Sequence, residues 1–120
     1  MPEDCLQALS LRLRDFARAR NWEQFHSPKN LAMALAGEAG ELLEHFQWLS
    51  ERQSYELDPV KREAVALELA DVLIYVLRCA ERLELDVVEA AWRKVAINER
   101  RYPVDKVYGD ARRASEYDER

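Results

Sequence analysis

Helix breakers are scarce in this chain, and they sit where helices would begin. Three glycines and four prolines in 120 residues leave long stretches with nothing to stop a helix. Two of the prolines follow capping residues, as Ser27-Pro28 and Asp58-Pro59. A Ser or Asp N-cap with proline at the first helical position is a helix start. The spacing predicts a first helix from about Cys5 to Arg20, capped by Asp4, with Leu6, Leu9, Leu13 and Phe16 at helical intervals. A second should run from Pro28 to about Ser50 and a third from Pro59 to about Leu83. Asp86-Val87-Val88-Glu89 has the pattern of a capping box for a fourth, ending near Arg101 before Tyr102-Pro103. Asn21 to Ser27 forms an aromatic-rich connector. No strand pattern or hairpin turn interrupts this reading. The expected fold is all-α, a four-helix-type bundle in one domain over residues 1–104. A polar tail over 105–120 is expected to be extended or partly disordered.

Charge and composition narrow the function classes. A formal net charge of −5 and a pI near 5.1 argue against a surface that grips nucleic acid. No apolar run reaches the roughly 20 residues of a membrane span, and the N-terminus carries no basic segment of a secretory signal. Two cysteines, Cys5 and Cys79, make neither a disulfide framework nor a zinc site. They read as small core residues in a protein of the reducing cytoplasm. Long helices around so small a core leave apolar faces over, so a homo-oligomer is expected.

Chemistry concentrates in two acidic pairs. Glu38 and Glu41 lie in the second helix and Glu68 and Asp71 in the third, each spaced i, i+3 and therefore on one face. Asp71 interrupts an apolar run from Leu69 to Leu77. Glu38 lies near the stripe Leu31, Leu35, Leu42, Phe46 and Leu49. Unpaired buried charge costs several kcal/mol, roughly, and four carboxylates repel one another unless something neutralises them. An all-oxygen donor set favours Mg²⁺, Mn²⁺ or Ca²⁺. A di-iron centre would need Glu-x-x-His motifs, which are absent. Gly37 and Gly40 cost helix stability and suggest close approach of another helix or of a ligand's phosphates. The remaining glutamates, such as Glu44, Glu63 and Glu89, read as solvated.

Aromatic and basic groups flank these pairs. Trp22, Phe25 and His26 crowd the connector, Trp48 ends the second helix, and Tyr75 lies one turn beyond Asp71. From composition alone they are core residues; beside an acidic metal site they could stack on a nucleobase. Lys94, Asn98 and Arg101 share one face of the fourth helix. They could hold phosphate oxygens or simply complement a helix C-terminus.

The segments NWEQFHSPKNLAMALAGEAGELLEHFQWL, ELADVLIYVL and KVAINERRYPV occur in order. Together they resemble the MazG-like all-α nucleoside triphosphate pyrophosphohydrolases, nearest the dCTP pyrophosphatase branch, over about residues 13–104. The resemblance implies Mg²⁺-dependent hydrolysis of a (deoxy)nucleoside triphosphate to the monophosphate and pyrophosphate, with Mn²⁺ as a possible substitute. It implies that Glu38, Glu41, Glu68 and Asp71 hold the metal and serve catalysis. It further implies that Trp22, Phe25, His26, Trp48 and Tyr75 line the nucleotide pocket, that Lys94, Asn98 and Arg101 meet the phosphates, and that the protein is a homodimer or homotetramer. Leu13 stands where some dCTP-cleaving relatives place a histidine, which leaves the base preference open. A non-catalytic nucleotide-binding protein or a structural helical oligomer is the alternative class.

Overall fold

A computed structural model describes residues 4–112 and 114–116. The described residues are helical, with no strand among them. In chain order, α1 spans Cys5–Ala19, a 3-10 turn Glu23–Phe25, α2 Pro28–Glu44, α3 Glu51–Ser54, α4 Pro59–Arg82, α5 Val87–Arg101, α6 Val104–Val107, and a second 3-10 turn Ala114–Glu116. The expected caps are in place. The side chains of Asp4, Ser27, Asp58 and Asp86 accept the backbone N–H three residues on, at 3.1, 3.1, 2.8 and 3.0 Å.

The second helix ends earlier than its apolar periodicity suggests. From His45 the backbone tightens, with N–H groups of His45 and Phe46 donating to Leu42 and Leu43 three residues back. Ser50 then opens α3 with a reciprocal capping box, its hydroxyl accepting from the Gln53 N–H while the Gln53 side chain accepts from the Ser50 N–H. The tail also departs from expectation. Residues 104–107 form α6, because the Pro103 carbonyl accepts from Lys106 and Val107; residues 117–120 lie outside the described chain. Cys5 is exposed rather than core, and both cysteines are free.

Two helices end on left-handed residues other than glycine. After α1, Asn21 has φ 55° while the Trp22 N–H donates to Ala17 and the Asn21 N–H to Arg18. After α4, Glu84 has φ 56° with the same pair of bonds, Leu85 to Ala80 and Glu84 to Glu81. Both are Schellman closures. The first turns the chain sharply into the connector.

By packing, the chain divides into two compact units at Leu85–Asp86. In the first, α2 packs on α4 and α1 on α4. Positions climb along α2 as they fall along α4: Cys79 Sγ lies 3.9 Å from the Pro28 carbonyl, Glu38 meets Glu68, and His45 shares a shallow groove with Lys61. The pair is therefore antiparallel. Ala17, Leu31, Val65, Leu77 and Ala80 are buried between these helices. Burying Leu31 contributes about 2 kcal/mol. In the second unit, α5 closes where the Tyr102 N–H donates to Asn98 at 2.8 Å. Pro103 follows and cannot continue it.

Candidate functional site

The two acidic pairs were expected to meet, and three of their four members do. One carboxylate oxygen each from Glu38, Glu41 and Glu68 lies within 4.8 Å of the others. The antiparallel register explains this, because Glu38 occupies the inward stripe of α2 and Glu68 that of α4. Asp71 is half-buried one turn beyond Glu68. Its carboxylate falls outside this closest group, although its charge is felt at Glu38.

Two oxygens of the cluster lack a hydrogen-bond donor among the described residues. Glu38 Oε2 and Glu68 Oε2 are buried without a partner. Carboxylates cannot donate to each other until one takes up a proton, and the acidities follow from that. The Glu38 carboxyl is raised, chiefly because its proton can be shared with Glu68; the Glu41 hydrogen bond opposes this, and burial and the charges of Glu68 and Asp71 add to it. Glu41 is raised too, first by the proton it can share with Glu38 and then by the Glu38 charge. A shared proton or a bound cation would relieve this repulsion. The donor set is all oxygen, and buried lone pairs with no donor are what a small hard cation satisfies. The residues present therefore fit Mg²⁺ or Mn²⁺.

Gly37 and Gly40 lie beside the cluster on the exposed side of α2. A Cβ at either would meet nothing within 4 Å. Among the described residues no helix makes the close approach that was one of the two expectations for them.

The aromatic connector is built separately. Trp22 and Phe25 are exposed and His26 is half-buried. The Trp22 ring meets Phe16 edge-on at 5.7 Å and His26 at 6.4 Å. Arg20 lies 3.6 Å over the Phe16 ring. The His26 pKa is lowered, mainly by burial and then by the charges of Arg78 and Arg82, against the pull of Glu23. Trp48, in the turn after α2, is 86% exposed, which rules out the core reading for it. Tyr75 is half-buried on α4. In the second unit, Lys94 is exposed and Asn98 half-buried, and the Arg101 guanidinium lies 6.0 Å from the Tyr102 ring.

Sequence reasoning missed Phe16 as the partner of Trp22, and it missed the polar groups that hold the connector. Glu23 pairs with Arg18 at 3.2 Å and with Arg78 and Arg82 at 3.8 Å each. The Phe16–Trp22 spacing gave a local signal. The arginines of α4 gave none.

Comparison with known proteins places the chain in a family. The chain matches the MazG-like family over residues 34–116. It is 43% identical to dCTP pyrophosphatase 1 of Mus musculus over 112 residues, 92% of this chain and 66% of that protein. It is 41% identical to dCTP pyrophosphatase 1 of Homo sapiens over 117 residues, 96% of this chain and 69% of that protein. The chain thus spans about two thirds of the length of these relatives. Among solved structures it resembles a pyrophosphatase from Archaeoglobus fulgidus, with a TM-score of 0.79 and 39% identity, covering 86% of this chain and 96% of that one.

Proposed function

The chain belongs to the MazG-like family, and from that premise we propose that it hydrolyses a deoxynucleoside triphosphate, dCTP or a modified dCTP, to the monophosphate and pyrophosphate. The observation that carries this reading is the cluster of Glu38, Glu41 and Glu68 across two facing helices, in which Glu38 Oε2 and Glu68 Oε2 are buried without a hydrogen-bond partner. The names of the relatives give the substrate class.

Glu38, Glu41, Glu68 and Asp71 would hold Mg²⁺, with Mn²⁺ as a substitute. Bound there, the cation would neutralise the triphosphate and orient it for in-line displacement. Glu41 is the exposed member of the cluster, and we assign it the proton of the attacking water. The water oxygen bonds to phosphorus at the α–β bridge, the bridging P–O bond breaks, and pyrophosphate separates from the nucleoside monophosphate. Trp22, Phe25, His26, Trp48 and Tyr75 supply the base wall, where exposed π-faces hold a base by stacking. Lys94, Asn98 and Arg101 remain the phosphate contacts that the likeness implies. The working protein is a homodimer or homotetramer of the cytoplasm whose role is to cleanse the nucleotide pool. No described helix is long and apolar enough to cross a membrane.

The test is kcat/KM for dCTP, 5-methyl-dCTP, dUTP, dTTP and the ribonucleotides with Mg²⁺. The reading expects the cytosine deoxynucleotides to lead. A panel led by purines would overturn the substrate, and folded protein inert toward every nucleotide would favour the structural oligomer.

A further inference from the structure

We propose that Arg78 is a positioning residue for the aromatic connector: from inside the first unit it fixes where Trp22, Phe25 and His26 stand, and so sets the affinity for the nucleotide base. The proposal rests on the reading of that connector as the base wall.

The connector cannot hold itself. It is a 3-10 turn between two helices, and its large side chains, Trp22 and Phe25, are exposed. Apolar burial therefore does not decide its place. Polar contacts do: Asn30 Nδ2 donates to the Phe25 carbonyl at 3.1 Å from α2, and the most buried of the contacts from α4 is Arg78. Arg78 is 3% exposed, and a charge so buried must be paired. Its Nη1 donates to Glu81 Oε1 at 2.7 Å on its own helix. Its Nη2 reaches the connector twice, to His26 Nδ1 at 3.2 Å and to Glu23 Oε1 at 3.8 Å. Because a guanidinium only donates, His26 Nδ1 accepts and the ring carries its proton on Nε2. That bond orients the imidazole, whose ring stands edge-on to Trp22.

Neighbouring arginines complete the clamp. Arg82 Nε donates to the His26 carbonyl at 3.0 Å, and Arg18 Nε donates to Glu23 Oε2 at 3.2 Å. These two are more exposed than Arg78; Arg18 meets the connector at Glu23 alone, while Arg82 also lies 3.8 Å from Glu23 Oε1. Arg78 alone combines near-complete burial with a side-chain hydrogen bond to His26 and an ion-pair contact with Glu23. Its planar fork serves Glu81 and His26 from different nitrogens at once, which a lysine ammonium at the same place cannot reproduce. None of these groups belongs to the carboxylate cluster, so the clamp and the metal centre are separable by substitution.

The test compares Arg78→Lys, Arg78→Met and Glu23→Gln with the wild type, using dCTP at saturating Mg²⁺ and well below each Tm. Arg78→Met is expected to raise KM about tenfold with kcat held within about threefold, the pattern of lost uniform binding. Arg78→Lys and Glu23→Gln should raise it less, and Mg²⁺ affinity by calorimetry should not move. A residue that only supports the fold would lower Tm and leave KM alone. Unchanged KM in the folded variants, or a loss confined to kcat, overturns the proposal. If Arg78→Met does not fold, the other two variants decide it by the same criterion. Wild-type protein that turns over no nucleotide would overturn the reading of the site, and this proposal with it; wild-type turnover with unchanged KM in the variants overturns this proposal alone.

Discussion

Glu38 shows at one residue how function and stability oppose each other. Its buried oxygen has no donor, and its neighbours Glu68, Glu41 and Asp71 are acids. Glu38→Gln should therefore stabilise the metal-free protein, since an amide can donate where the carboxylate cannot, while removing the Mg²⁺-dependent rise in Tm. Thermal melts with and without Mg²⁺ check both halves; a variant less stable than wild type in the absence of metal would contradict the account. The pH dependence has two limbs of opposite sign. The Glu38 and Glu41 carboxyls are raised in the fold, so their contribution is fully present below the ordinary value of 4.5 and is lost as pH rises through the raised values. The His26 pKa is lowered, so its contribution is present above the ordinary 6.5 and is lost as pH falls toward the lowered value. Metal-free melts should show the first limb disappear in Glu38→Gln and the second persist. At this scale the sequence marked Glu38, Glu41 and Glu68, which the fold brings together, because a carboxylate in an apolar stripe is conspicuous. It could not show which oxygens come closest, since that depends on how distant stretches of chain are aligned, and Asp71 lies outside that group. The Arg78–His26 bond, across 52 residues, was invisible for the same reason.

Helix starts were legible element by element, because Asp4, Ser27, Asp58 and Asp86 act on groups three residues away. The Ser50–Gln53 capping box obeys the same local rule. The apolar spacing of Phe46 and Leu49 masked it by continuing the pattern of α2, so the periodicity predicted one long helix where the backbone makes two. Helix ends were harder to read. Asn21 and Glu84 adopt left-handed backbone that sequence reading usually assigns to glycine. Asn tolerates that conformation, and Glu pays for it. Glu84→Gly should relieve the strain and stabilise the protein by about 1 kcal/mol. A Tm unchanged or lowered in Glu84→Gly would mean that the closure after α4 carries no such strain.

Large apolar side chains stand open on each of the two units. On α4, Leu67, Leu69 and Leu73 are exposed, and Trp92 and Val95 are exposed on α5. Surfaces of this kind mark association. Sedimentation velocity should find a dimer or tetramer, and Leu69→Lys with Leu73→Lys should shift it toward smaller species; a wild-type monomer at micromolar concentration would contradict the expectation. The all-helical class was legible from the breakers alone, whereas the partition at Leu85–Asp86 depends on long-range packing that no local pattern records.

The proposed activity is a metal-dependent pyrophosphohydrolysis in which Glu38, Glu41, Glu68 and Asp71 of two facing helices hold the cation. Phosphorus NMR of dCTP incubated with wild-type protein and with Glu68→Gln, with and without Mg²⁺, tests it most directly. The account expects dCMP and pyrophosphate from the wild type only when the cation is present, and a rate lower by at least about 100-fold in Glu68→Gln, since losing a ligand should cost no less than losing a ligand's support. Turnover without the cation, dCDP and orthophosphate as products, or full activity in Glu68→Gln would contradict it.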